Sequence, residues 1–313
     1  MIIKKCERKE YKAMLVMLNK AFGCQDGWFE RCSTTCTPYE EIASDELIAC
    51  HYIAVKDGEV IGCVGAYPRE LAIGGAFTVK GFGIGQVSCK EEERGRGVMT
   101  ALMNAAIDSE VKNGAVLSYL WGNMPRYRHF GFKPAGERTE FNSIEIRRIL
   151  HNADMNGFTA NIPAHTDIGA MSALYSRYGA YVIRTEDHWK ESLQRAGCEC
   201  LYTSGNDGGA YLFAKTENKH IIEIQGDAAA VHKLLIYYAR KYGLSELVVQ
   251  YPYIWHNRDP VFNFLKDNTN WYTIQPMALA AVFGNNDEAE RAGRIYGINE
   301  NENLFWISEI DEV

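Results

Sequence analysis

The chain has 313 residues, of which 47% are hydrophobic and 23% are charged, and its formal net charge is −7. This composition supports folded cores and excludes a chain that is disordered by composition, and the length suits two domains. The negative charge argues against a polyanionic partner such as nucleic acid and favours a cationic small substrate.

The nine cysteines are odd in number and scattered, which is typical of the reducing cytoplasm. The chain start lacks the charged and apolar regions of a secretory leader, and no apolar run approaches the ~18 residues of a membrane span. The pair Cys32–Cys36 lacks a matching second pair, and Cys198–Cys200 is too close for ordinary zinc spacing. We therefore expect a cytoplasmic protein with no membrane contact and no metal.

The chain begins with a predicted strand over residues 1–6 and an amphipathic helix over 9–22. The loop that follows, residues 23–37, contains Asp26, Trp28, Phe29 and Glu30. Aromatic rings interleaved with carboxylates can line a pocket for an organic cation. The two aromatic residues can equally cover the core beneath a long loop, and both readings stay open.

A helix and then antiparallel strands are predicted next. A second helix starts at Thr37-Pro38, and two apolar runs, His51–Lys56 and Glu59–Glu70, flank the turn signal Asp57-Gly58. A further strand with a turn at Gly74-Gly75 leads to the strand that ends in Val87-Ser88-Cys89.

The stretch Arg94-Gly95-Arg96-Gly97 opens a helix that ends at Asn113-Gly114. A glycine-containing turn before a helix exposes unpaired backbone N–H groups at the positive end of the helix dipole, which favours phosphate binding. Arginine adds charge and a planar fork for phosphate oxygens. On this string alone, an ordinary turn with solvated arginines is the better interpretation.

A second motif follows the strand predicted at residues 115–121. Residues 122–125, including Asn123, end that strand, and residues 126–130 form one helical turn. Tyr127 lies on this turn, four residues before Gly131-Phe132, which begins the strand predicted to close the first domain.

Together the two motifs resemble the GNAT superfamily of acetyl-CoA-dependent N-acetyltransferases. Residues 94–99, RGRGVM, fit the phosphate-loop pattern R/Q-x-x-G-x-G/A except at the last position. The Eis-like (enhanced intracellular survival) subfamily departs from the pattern at the same place, and residues 127–132, YRHFGF, resemble its segment Y-x-R-F-G-Y/F. The resemblance covers roughly the first half of the chain.

The resemblance implies an α/β fold in residues 1–145, with a GNAT-type mixed, largely antiparallel sheet flanked by helices. It implies that acetyl-CoA binds as the acyl donor, and that Tyr127 is the general acid, with packing on Phe130 and Phe132 as the alternative role. The acetyl-CoA contacts then come from Val87, Ser88, Cys89, Arg94, Gly95, Arg96, Gly97, Val98, Met99 and Asn123.

The general base is the weakest part of this interpretation. In Eis-like enzymes a chain-terminal carboxylate is implicated, delivered by a third, sterol-carrier-like domain for which this chain is too short. The carboxylate of Val313 is the candidate here, with Asp26, Glu30 and His51 as alternatives. We expect His129 to point away from the site.

A short helix is predicted over residues 143–150, and residues 146–167 are the predicted linker. Residues 168–313 are the predicted second, GNAT-like domain, whose acidic tail contains a strand predicted at residues 304–307. Arg184 and Trp189 look like the R-x-x-x-x-W segment that opens the central region of Eis-like proteins. Strands at 210–216 and 220–225, a helix at 228–241 and a strand at 247–251 repeat the order of the first domain. Because Asp227 puts a carboxylate where the phosphate loop stood, we expect no CoA binding there.

The sequence thus predicts transfer of an acetyl group from acetyl-CoA to a primary amine of a small or medium-sized acceptor, aminoglycoside-like by analogy only. One alternative is a module that binds CoA or another ligand without catalysis. Another is acyl transfer to a peptide or protein amine. Assembly into a homo-oligomer is left open.

Overall fold

The structure is a computed structural model that describes residues 1–24, 43–73, 77–151, 153–195, 197–206, 208–253, 259–284, 286–295 and 307–311. The helices are α1 (Arg8–Phe22), α2 (Asp45–Ala49), α3 (Val98–Lys112), α4 (Met124–Tyr127), α5 (Ile146–Leu150), α6 (Ile168–Tyr175), α7 (Glu186–Leu193), α8 (Ala228–Tyr242), α9 (Pro260–Asn268) and α10 (Asp287–Ile295). The strands are β1 (Ile2–Lys5), β2 (His51–Lys56), β3 (Glu59–Ile73), β4 (Phe77–Cys89), β5 (Leu117–Leu120), β6 (Lys133–Glu145), β7 (Ala180–Val182), β8 (Cys198–Gly205), β9 (Gly208–Lys215), β10 (Ile221–Gly226), β11 (Glu246–Pro252) and β12 (Tyr272–Val282). None of these helices is long and apolar enough to cross a membrane.

Local sequence signals account for the first elements. The side chain of Glu10 accepts a hydrogen bond from the backbone N–H of Glu7 at the start of α1, and Gly23 ends the helix in the left-handed conformation. Asp57 and Gly58 both have positive φ, 51° and 81°, as a two-residue hairpin turn between β2 and β3 requires. The predicted hairpin is confirmed.

The described strands form one twelve-stranded sheet in the order β1-β2-β3-β4-β5-β12-β6-β11-β10-β9-β8, with β7 paired to β3. Only two of the pairs between these strands are parallel, β4 with β5 and β10 with β11. The prediction of a mixed, largely antiparallel sheet flanked by helices is confirmed.

The two halves of the sheet share their central strands. The order strand, strand, helix, strand occurs as β3-β4-α3-β5 and again as β9-β10-α8-β11. In the centre, β12 pairs with β5 and β6, and β6 pairs with β12 and β11. Strand β6 therefore does not close a separate first sheet, because a strand from residues 168–313 lies between it and β5.

A buried cluster of ion pairs connects Asp311, near the end of the chain, to the second half of the sheet. The guanidinium of Arg184, on the chain after β7, donates to Glu223 of β10 (2.6 and 2.9 Å) and to Asp311 (2.8 and 2.9 Å). All three side chains are fully buried, and the guanidinium lies over the rings of Tyr175 and Trp189. Arg184 and Trp189, singled out in the sequence, thus have a structural role.

Several elements differ from the predicted ones. The short helix predicted over residues 143–150 is present as α5, which begins at Ile146, and the linker also contains a 3-10 helix at His165–Asp167 that was not predicted. The short β7 and the elements β8, α7, α9 and α10 have no counterpart in the sequence-based prediction. The helix expected at Thr37-Pro38 and most of the strand expected at residues 304–307 lie outside the described residues; Ile307 is buried.

Candidate active site

An opening in the sheet lies between β4 and β5. The parallel pairing of these strands runs from Gly81 opposite Leu117 to Ile84 opposite Leu120 and ends there, whereas β4 continues to Cys89. On its other side β4 remains paired with β3 as far as Cys89 opposite Gly62. Residues 85–89 of β4 therefore offer one backbone edge that β5 does not cover.

The last residues of β4 are half-buried, as a lining of this opening requires. Val87, Ser88 and Cys89 are all of intermediate exposure. The hydroxyl of Ser88 donates to the carbonyl oxygen of Gln86 at 3.2 Å, so it does not face the opening freely. Burial raises the pKa of the Cys89 thiol, which keeps it protonated and argues against a thiolate nucleophile.

The loop between β4 and α3, the predicted phosphate site, contains two glycines with positive φ. Gly95 and Gly97 have φ of 75° and 78°, and a Cβ built on either would meet no atom within 4 Å, so the space above both backbones is open. Gly97 is the N-cap of α3, and a glycine has no side chain to accept hydrogen bonds from the first N–H groups of the helix. Those N–H groups begin at Val98 and Met99, whose side chains pack into the core.

The two loop arginines are exposed and loosely paired. Arg94 lies 3.8 Å from Glu91 and Arg96 lies 3.5 Å from Glu93, and each arginine side chain is 61% exposed. Exposed pairs of this kind contribute little, so both guanidinium groups are available to a competing anion.

A cavity of about 770 Å³ borders the loop on the α1 side. Its walls include Val16 and Met17 of α1, Val60 of β3, and the loop residues Lys90 and Arg94. Lys90 is held by Glu59 at 2.6 Å. The cavity therefore has apolar side chains on the walls from α1 and β3 and paired charged side chains beside the loop.

Tyr127 lies at the end of α4, which follows directly after β5. Its side chain is 7% exposed and its ring packs edge-on against Phe132, so the predicted alternative contact with that ring is present. Burial raises the pKa of its hydroxyl, which keeps the group protonated. Within the described residues this hydroxyl has no hydrogen-bond partner.

That property separates Tyr127 from most buried tyrosines of this protein. Their hydroxyls bond to acidic or backbone oxygens or to a histidine, as seen for Tyr67, Tyr175, Tyr178, Tyr211 and Tyr251. The hydroxyl of the buried Tyr119 also has no partner among the described residues, so the feature that sets Tyr127 apart is its place at the end of the helix that follows β5.

The other predicted residues are exposed, outside the described residues, or buried. Asn123 is exposed at the start of α4, and the exposed His129 stacks on Phe130 at 3.9 Å between ring centroids. The predicted pocket residues Asp26, Trp28, Phe29 and Glu30 and the candidate base Val313 lie outside the described residues. His51, the remaining candidate base, is 4% exposed and burial lowers its pKa to about 4.

The sequence interpretation gave no role to three residues around this site. Gln86 has a positive φ of 48° at an irregularity of the β3–β4 ladder, and its amide contacts the hydroxyl of Tyr67. Gly122 lies against the ring of Tyr127.

The equivalent place in the second half is occupied by the protein itself. Only Asp227 separates β10 from α8, and its carboxylate accepts from the backbone N–H of Gly209 at 2.9 Å and from Arg177 at 3.0 Å. A carboxylate at the positive end of α8 therefore stands where the first half has an open glycine loop.

Comparisons with known proteins agree with this geometry. The family model described as an acetyltransferase (GNAT) domain matches residues 3–135. No curated protein matches the sequence.

Solved structures share the fold over most of the chain. A GCN5-related N-acetyltransferase from Kribbella flavida superposes with a TM-score of 0.69 at 16% identity, covering 90% of this chain and 71% of its own. A probable N-acyltransferase from Enterococcus faecalis gives 0.70 at 19% identity, with 90% and 72% covered. Eis1 from Mycobacterium abscessus gives 0.62 at 16% identity, with 90% and 74% covered.

The matched residues contain β1 to β5, the open loop and Tyr127, which are the parts of the chain that form the opening. The chain has the GNAT fold, and its residues 3–135 match the model of an acetyltransferase (GNAT) domain.

Proposed function

We propose that this protein is an acetyl-CoA-dependent N-acetyltransferase whose general acid is Tyr127. The observation that carries the proposal is the place of Tyr127, at the end of the helix that follows β5 and beside the opening between β4 and β5.

Acetyl-CoA supplies an acetyl group activated as a thioester, and the loop fits its pyrophosphate. The open space above Gly95 and Gly97 leaves room for phosphate oxygens, and the first N–H groups of α3 point toward it. Arg94 and Arg96 would exchange their weak contacts with Glu91 and Glu93 for phosphate. The free backbone edge of residues 87–89 would pair with the pantetheine arm, and the N–H of Cys89 would polarise the thioester carbonyl.

In the reaction, the lone pair of a neutral amine forms the new C–N bond as the C–S bond breaks. The departing thiolate takes the proton of the Tyr127 hydroxyl, and the amine nitrogen loses its extra proton to a base and to solvent. Because burial raises the pKa of Tyr127, the hydroxyl keeps its proton until the thiolate forms.

We further propose that the chain is Eis-like, with residues 1–145 as the catalytic domain and residues 168–313 as a second, GNAT-like domain. The repeated order of strands and helices supports this division. The second domain would not bind CoA, because Asp227 fills the anion position and would repel phosphate.

For the acceptor, we propose a small or medium-sized amine, and the net charge of −7 favours a cationic one. A peptide amine and a module that holds CoA without transfer remain the competing functions.

Titration calorimetry with acetyl-CoA, followed by thiol release against a panel of amines, tests the proposal. We expect saturable binding and release of CoA with at least one amine. Tyr127→Phe should lower kcat by ~10²-fold with little change in acetyl-CoA affinity, whereas the exposed Tyr272→Phe should behave as wild type. Release of CoA only with peptide amines would change the proposed acceptor to a peptide. Binding of acetyl-CoA without release of CoA would favour the binding module, and absence of binding would overturn the assignment of the loop.

A further inference from the structure

A histidine with a fixed tautomer lies at the start of β2. The Nδ1 atom of His51 is 3.1 Å from the carbonyl oxygen of Leu47 and 3.2 Å from that of Ile48. Carbonyl oxygens only accept hydrogen bonds, so Nδ1 must carry a proton. In the neutral ring the other nitrogen, Nε2, is therefore an acceptor.

On that side of the ring, the hydroxyl oxygen of Tyr67 lies 2.9 Å from Nε2. The same oxygen also contacts the side-chain amide of Gln86, with the amide oxygen facing the hydroxyl. A hydroxyl has one proton and cannot donate to both groups. Since Nε2 needs a donor, the proton of Tyr67 is committed to His51.

The amide of Gln86 must then be turned by half a rotation, so that its NH2 group donates to the Tyr67 oxygen. The two orientations have the same shape and are distinguished only by their hydrogen bonds. The alternative, a doubly protonated His51, is disfavoured because burial lowers its pKa to about 4. The hydrogen bonds thus run in one direction, from Gln86 to Tyr67 to His51, and leave the carbonyl oxygen of Gln86 outside this chain of hydrogen bonds.

The place of Gln86 connects this chain of hydrogen bonds to the opening. Ile84 is the last β4 residue paired with β5, and Gln86 follows two residues later, half-buried and with a positive φ. Gly65 on β3 makes room for the contact: a Cβ there would lie 2.5 Å from the Gln86 amide and 2.7 Å from the Tyr67 hydroxyl.

We propose that His51, acting through Tyr67, fixes the amide of Gln86 so that its carbonyl oxygen accepts a hydrogen bond from an N–H of the acceptor amine. This inference rests on the proposed acetyl transfer and adds a positioning residue and a specificity to it. A primary or secondary amine can donate one N–H to Gln86 and keep its lone pair free to attack. A tertiary amine has no N–H to donate and is not selected.

Nitrogen-15 NMR of the full-length labelled protein tests the direction of the hydrogen bonds without any substrate. At pH 7 we expect His51, assigned by loss of its signals in His51→Asn, to be neutral with the proton on Nδ1. In Gln86→Glu, a carboxylate would take the Tyr67 proton, and His51 should then be protonated on both nitrogens. A proton on Nε2 of the wild-type ring at pH 7 would overturn the proposal.

Kinetics test the role in binding. Gln86→Met keeps the size and removes the acceptor, so KM for the amine should rise ~10-fold while acetyl-CoA affinity stays the same. Tyr67→Phe should shift KM in the same direction, and the exposed Gln194→Met is the control.

An unchanged KM in Gln86→Met would refute the amine contact while leaving the acetyltransferase intact. Loss of acetyl-CoA binding in the wild type would instead remove the proposed function, and the amine contact with it, whatever the NMR result.

Discussion

The ring of Tyr127 lies directly over Gly122, so that a Cβ built on Gly122 would be 2.6 Å from Cε2 of that ring. Gly122 comes two residues after the end of β5, and Tyr127 ends the helix that follows. Because Gly122 has no side chain, the ring of Tyr127, the candidate general acid, can take this position beside the opening.

Gly122→Ala should therefore displace the Tyr127 ring. We expect kcat to fall ~10²-fold, because a shift of about 1 Å in a catalytic group has effects of that order, while acetyl-CoA affinity changes little. Gly169→Ala in α6, where a Cβ meets no atom within 4 Å, is the matched control, and its kcat should equal that of the wild type. Full activity of Gly122→Ala would mean that the Tyr127 ring adjusts without consequence or has no catalytic role.

Gly97→Glu should abolish acetyl-CoA binding measured by calorimetry, because it places bulk and negative charge in the open space before α3. Part of any effect comes from forcing a side chain into the left-handed conformation. Gly243→Glu controls for this, since Gly243 has a similar φ of 65° and equally open surroundings at the end of α8. Comparable loss of binding in both variants would contradict a local effect at the loop.

Arg184→Met should destabilise the protein by about 3–5 kcal/mol, because it leaves the buried carboxylates of Glu223 and Asp311 without their cation. Urea unfolding gives the free energy of unfolding. The control is Arg177→Met, whose partner Asp227 is half-exposed, and its loss should stay below about 1 kcal/mol. Equal losses in the two variants would show that the buried cluster is not a special source of stability.

Stability should fall between pH 7 and pH 5. Burial lowers the pKa of both His51 and His188 to about 4, whereas in the unfolded chain histidine has a pKa near 6.5. Between these values the unfolded state binds more protons, so lowering the pH favours unfolding, by about 2 kcal/mol per histidine at pH 5.

His51→Asn should remove about half of that pH dependence in urea unfolding at the two pH values. The exposed His129→Asn is the control and should leave it unchanged. A pH dependence that persists in full in His51→Asn would mean that this ring does not titrate as its burial indicates.

The sequence predicted the features that depend on neighbouring residues. The hairpin at Asp57-Gly58, the helix after the glycine loop and the turn carrying Tyr127 were all signalled within a few residues, because turn geometry, helix caps and helical periodicity are local properties.

Contacts between distant parts of the chain were decided by the tertiary structure. The insertion of β12 between β5 and β6, the ion pair joining Arg184 to Asp311, and the contacts among His51, Tyr67 and Gln86 bring together residues far apart in sequence. The alternation of apolar and polar residues along a strand is the same whichever strand it pairs with, so the sequence does not reveal the neighbour. A charged residue can be recognised as buried only when its partner is known. By itself the sequence determined the local elements and the two motifs of an acetyltransferase domain, whereas packing decided which strands the two halves share and how the polar groups at the opening are oriented.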